Sequence, residues 1–154
     1  MNNKAEELAQ ILKAEVDLMT ALAGVMAEKQ QAIVRFQGDL LAACTEREEE
    51  LTRPLEALEG ERIKCATALT EMLRGGSGTP LKAPLPLREL IVRLNEDESG
   101  SLADLSDRMH KSVQHIVEMN GYNRTLLQHS LQFVQQTLRI ITDNHRKQLV
   151  DERM

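Results

Sequence analysis

The sequence predicts an all-α fold: an antiparallel hairpin of two long helices with a third long C-terminal helix packed along it. The result is an elongated, coiled-coil-like helical bundle. Three observations predict it. Apolar residues make up 42% of the chain but aromatics only 2%, with one Tyr, two Phe and no Trp; that balance favours long helices over sheets. Apolar residues recur at helical spacing over three long stretches. Turn-forming residues punctuate the chain at "QGD" and at "GGSGTPLKAPLP". At 154 residues the chain is read as one domain, 1–154, long enough to bury a real core.

The first helix is expected over 3–37, where Leu8, Ile11, Leu12, Leu18, Met19, Leu22, Val25, Met26, Ile33 and Phe36 keep the period. Gly38 suits the left-handed residue that follows a helix, and Asp39 suits the N-cap of the next. The second helix, 39–74, carries a heptad seam of Leu41, Cys44, Glu48, Leu51, Leu55, Leu58, Arg62, Cys65, Leu69 and Met72. Pro54 lies inside it and is expected to kink or break it, since proline removes a backbone donor and crowds the preceding turn.

A tight turn near Gly38 folds the two helices back on each other and pairs positions whose numbers sum to about 77. Helix one places Glu15 and Lys29 in its seam, and the register sets Arg62 and Glu48 opposite them. Opposite charges meet at both places. Such seam charges cost stability but fix register; the alternative is that all four snorkel to the edge without touching.

A Gly/Pro linker is expected over 75–86, then a short helix over 87–95 on Leu87, Leu90, Ile91 and Leu94. Ser101 with Asp104 resembles a capping pair for a long helix over 101–143. Its stripe is Leu102, Leu105, Met109, Val113, Ile116, Asn120, Asn123, Leu127, Val134, Leu138 and Ile141. At ~100° per residue the two asparagines fall inside the stripe. A second ridge, Met119, Tyr122, Leu126, Phe133 and Ile140, widens the apolar face to roughly 180°. The charged tail, 144–154, is expected to fray.

Several function classes are disfavoured. A net charge of −5 and a pI near 5.4 argue against a nucleic-acid surface. No apolar run approaches ~18 residues, so no membrane insertion is expected. The first ten residues lack a signal-peptide layout, which predicts a cytoplasmic protein. Cys44 and Cys65 on one helix would stand roughly 30 Å apart at ~1.5 Å per residue, too far for a disulfide. His110 follows Asp107 by three and His115 precedes Glu118 by three, but a di-iron bundle also needs ligands from further helices. Helices one and two contain no His. "GGSGTPLK" lacks the Gly-Lys-Ser/Thr ending of a phosphate loop. No metal, cofactor or catalytic residue is expected, and the chain is not read as an enzyme.

The segments "EKQQAIVRFQGDLLAACTEREEELTRPLEALEGERI" and "NGYNRTLLQHSLQFVQQTL" carry a resemblance. Lys29, Ala32 and Ile33, the Gly-Asp turn, then Leu58, Glu59 and Arg62, and finally Asn120, Asn123, Leu126 and Leu127 follow one another in order and spacing. This layout resembles the FlgN-type flagellar export chaperones of bacteria over nearly the whole chain. The resemblance implies a cytosolic all-helical chaperone without nucleotide, metal or covalent chemistry. Its partners would be the hook–filament junction (hook-associated) proteins and the flagellar export apparatus, with client binding in the C-terminal helical region.

The residues themselves fit that implication. A client terminus that folds into an amphipathic helix needs an apolar groove and binds with moderate affinity, because ordering costs free energy. The expected client-binding residues are Met119, Asn120, Tyr122, Asn123, Leu126, Leu127, Phe133, Val134 and Ile140. The asparagine amides would demand specific partners in a seam that otherwise associates promiscuously. An ordinary buried polar layer is the bland alternative for them, and plain core packing the bland alternative for the ridge. The competing function is a structural coiled-coil adaptor joining folded partners, and a homo-oligomer is compatible with either reading.

Overall fold

The computed structural model describes residues 3–75, 84–94 and 96–153, the side chains of 96–99 excepted. The described residues form four helices and no strand: α1 (Asn3–Val34), α2 (Gly38–Leu73), α3 (Leu87–Arg93) and α4 (Glu96–Arg153). Most of the expected linker, 76–83, and Asn95 lie outside the described residues.

α1 and α2 form the antiparallel hairpin, and its register is set by charge. Arg62 Nε lies 3.1 Å from Glu15 Oε2, and Lys29 Nζ lies 3.0 Å from Glu48 Oε2. In each pair the residue numbers sum to 77. A third, exposed pair, Arg47 with Glu28 at 2.9 Å, reinforces the same alignment. Glu15 is 1% exposed. Burial raises its carboxyl above the ordinary glutamate range, and the Arg62 guanidinium opposes that rise only in part.

α4 lies along the other flank of α1, parallel to it. Asn123 meets Met26 and Phe133 meets Phe36, residues whose numbers differ by 97 in both cases. α2 and α4 both pack on α1, yet their described backbones do not come within 8 Å of each other. α1 is therefore the central helix, and it buries apolar residues around a wide arc, from Leu8, Leu12 and Val16 to Val25 and Met26. A helix serving two partners needs more than the ~100° stripe that one partner requires. α3 closes one end by packing on both α2 and α4. There Leu90 is buried among Leu8, Leu12, Leu69, Leu102 and Leu105, and the Leu85 amide donates to Thr70 Oγ1 at 3.2 Å.

Five local expectations are corrected. The left-handed residue of the turn is Phe36, at φ 55°, rather than Gly38, which opens α2. The Gln37 amide donates to Ala32 O and the Phe36 amide to Ile33 O, the paired bonds of a Schellman ending with phenylalanine at its left-handed position. Gln37, not Asp39, is the N-cap, and it makes no side-chain capping bond. Pro54 does not break α2; it sits on the exposed side, where water can satisfy the carbonyl its missing N–H leaves free.

α4 starts at Glu96 rather than at Ser101. It also runs through the expected frayed tail to Arg153. That tail contains no Gly or Pro, its residues are mostly good helix formers, and a basic residue in the last turn suits the dipole's negative end.

Candidate functional site

The proximal part of α4 is held to α1 by a seam spaced alternately three and four residues apart. Leu102 and Leu105 are buried in it, Met109, Ser112, Ile116, Met119, Leu126 and Ser130 are half-buried, and Asn123 is 3% exposed. This seam passes between the two apolar rows read from sequence. It begins on the main stripe and crosses to the flank ridge, as a 3.5-residue repeat drifts across a 3.6-residue helix. Small residues open a gap within it, a cleft lined by Met19, Thr20, Ala23, Lys111, Ser112 and His115.

The nine expected client-binding residues therefore separate into three groups. Asn123 is in the seam, where its Nδ2 donates to the Met26 carbonyl at 3.0 Å and its buried Oδ1 accepts no hydrogen bond. Met119, Leu126 and Leu127 are half-buried beside it. Asn120, Tyr122, Phe133, Val134 and Ile140 are exposed. The two asparagines do not act as a pair: the seam reaches Asn123 from Met119, and Asn120, one residue past Met119, is turned out to the exposed side.

From Leu131 onward every described residue of α4 is exposed. The parallel alignment explains this. α1 ends at Val34 and the turn at Phe36 reaches Phe133, so residues 134–153 project past the hairpin tip with no other described helix beneath them. Twenty helical residues at ~1.5 Å each extend roughly 30 Å. This projection carries Leu138, Ile140, Ile141 and Leu149, with Ile140 61% exposed. Singly exposed apolar residues are ordinary, but a contiguous face of them marks an interaction surface.

Phe36 is the residue that sequence reading missed, because its spacing placed it in the apolar period of helix one. It is 63% exposed, and its ring centroid lies 6.0 Å from that of Phe133, itself 60% exposed, at an interplanar angle of 49°. These are the chain's two phenylalanines. A second signal was available in composition. Between Glu118 and Asp143 there is no acidic residue, although the chain carries 24 Asp and Glu.

The remaining chemistry is sparse. His110, His115, His129 and His145 are exposed on α4. No three His, Cys, Asp or Glu side chains among the described residues converge on a metal site. Burial pushes the Cys44 and Cys65 thiols above their ordinary value, which keeps them protonated and poorly nucleophilic. No helix among the described residues is long and apolar enough to cross a membrane.

Comparison with known proteins gives one match. A family model described as FlgN protein matches residues 1–150. No curated protein and no solved structure matches the chain.

Proposed function

The chain belongs to the FlgN family of flagellar export chaperones, and from that premise we propose that its clients are the hook-associated junction proteins. It would bind their terminal helical segments in the cytoplasm, keep them unassembled and deliver them to the export gate. The observation that carries this reading is the exposed apolar face of α4 around Phe133, Val134 and Ile140, projecting beyond the hairpin. An amphipathic helix laid against such a face buries both apolar surfaces at once. The client must fold as it binds, so part of the interaction energy goes into ordering it, and release at the export gate remains feasible. No catalytic step or cofactor is part of the proposal.

The test is titration of the full chain with the last ~40–60 residues of a junction protein, a length suited to helix-in-groove binding. Phe133→Ser should weaken binding with little change in melting, because Phe133 is already mostly exposed. Leu126→Ser should weaken binding and also lower the melting temperature, because Leu126 is half-buried on α1. Unchanged binding in both variants would place the client elsewhere. The adaptor reading draws on the alternating four- and three-residue spacing of Leu127, Leu131, Val134, Leu138 and Ile141, which suits a coiled coil. It predicts capture of folded partners, with the isolated terminal segment failing to bind.

A further inference from the structure

The hairpin tip needs a left-handed residue but not a phenylalanine there. At the end of α2 the left-handed position is filled by Gly75, at φ 69°, the residue that adopts this backbone without steric cost. At the end of α1 the same position is filled by Phe36, at φ 55°. A bulky side chain there is a genuine outlier. Its ring does not repay the strain by burial, since it stays 63% exposed. Besides closing α1, the conformation holds the ring against Phe133, at the point where α4 leaves the hairpin.

Beyond that point the edge of α4 that faced α1 continues without a partner among the described residues. The seam spacing that seats Met119, Asn123 and Leu126 on α1 leads on through Phe133 to Ile140. A helix placed past the tip, along the line of α1, would meet this edge as α1 meets its proximal part, with Phe36 abutting its end.

The charges around this projection differ from those of the hairpin. From Met119 to Arg153 the bases are Arg124, Arg139, Arg146, Lys147 and Arg153, against the acids Asp143, Asp151 and Glu152, a net of +2. The whole chain is at −5. Lys147 follows Ile140 by seven residues and borders one edge of the projecting apolar face, while Arg139 and Arg146 lie beyond its other edge. α2 carries most of its acids, among them Glu46, Glu49, Glu50 and Glu56, away from the tip and from the projection. A negatively charged partner is therefore attracted to the projection and kept off the hairpin.

We infer that the Phe36–Phe133 pair and the projecting edge of α4 receive one amphipathic helix with acidic flanks, lying past the tip in line with α1. This rests on the client-binding reading above and specifies the chemistry of the client segment and a contact outside α4.

The full chain is titrated, at low and high salt, with two designed peptides of about 18 residues, enough for five helical turns. Both carry leucines at heptad spacing; one has glutamate flanks and the other lysine flanks. A junction-protein terminal segment is the third arm. The glutamate peptide should bind at least tenfold tighter than the lysine peptide at low salt, with the gap narrowing as salt rises. Phe36→Gly relieves the strained backbone, so melting should hold or rise while binding of the glutamate peptide falls about tenfold. Phe36→Tyr should retain that binding.

Equal binding of the two peptides, or no effect of Phe36→Gly on the glutamate peptide, overturns the inference. So does a dimer in sedimentation that dissociates on Phe133→Ser, since a second copy would then own the face. If the junction segment binds but is indifferent to Phe36→Gly, the inference falls and the client reading stands. If the glutamate peptide behaves as expected and the junction segment does not bind, the surface stands and the choice of client falls.

Discussion

The two ends of α4 carry similar apolar residues and have opposite fates. Near its start, Leu102 is fully buried between α1 and α3, whereas near its end Leu138 is 57% exposed. Both belong to one stripe with one spacing. Two things differ: the seam that faces α1 drifts off this stripe along α4, and α1 has its last turn at Val34, opposite the middle of α4. Spacing identifies a face that avoids water. What covers that face depends on the length of its neighbour.

The most severe test of this contrast is Leu102→Ala. Truncating a fully buried leucine typically costs ~2–5 kcal/mol, and a urea unfolding curve should show a loss in that range. A loss under 1 kcal/mol would mean that the proximal end is not seated.

Next comes the hairpin that provides the seat. Arg62→Leu leaves the Glu15 carboxylate buried without its cation, and breaking a buried pair costs roughly 3–5 kcal/mol. Arg62 is itself partly exposed, which puts the expected loss near the lower end of that range. Adding Glu15→Gln should restore most of it. The pH dependence has a definite sign. The folded state raises the Glu15 pKa above its ordinary value of 4.5, so it holds that proton more tightly than the unfolded chain does. Stability contributed at Glu15 therefore falls as pH rises from about 4.5 through the raised value. The difference in stability between the parent and Glu15→Gln should follow that slope; a flat difference would remove the buried-carboxylate account.

Asn123 marks the last fully buried position of the seam. Asn123→Leu removes the unsatisfied Oδ1 and the bond to Met26 O, and it adds apolar contact. Stability should rise by about 1 kcal/mol, with slower hydrogen exchange at Met119–Leu126. A loss of similar size would show that the amide bond outweighs the orphaned oxygen. The smallest effect belongs to the far end: Leu138→Ala should stay within about 0.5 kcal/mol, as exposed substitutions usually do.

Much of the fold was legible in the residues. The tight turn near Gly38 disclosed the hairpin and a register, and that register set Glu15 opposite Arg62 and Lys29 opposite Glu48, where the structure pairs them. The site was legible as a stretch of α4 rather than as a set of contacts. Asn120 and Asn123 look equivalent by spacing, and only the placement of α1 separates the exposed amide from the buried one. Phe36 was hidden for another reason. It continues the apolar period of α1 two residues past the helix end at Val34, and Gly38 nearby offered a more ordinary turn.

The central place of α1 bears on the order in which the chain assembles. Its bonds to α2 span 19 and 47 residues, at Lys29–Glu48 and Arg62–Glu15, whereas its bond to α4 spans 97. Closing a longer loop costs more entropy before any contact repays it. The hairpin should therefore zip from its tip outward, with α4 docking afterwards on a surface already built. During synthesis the hairpin residues also leave the ribosome first, and α1 waits with one flank bare until the C-terminal helix arrives.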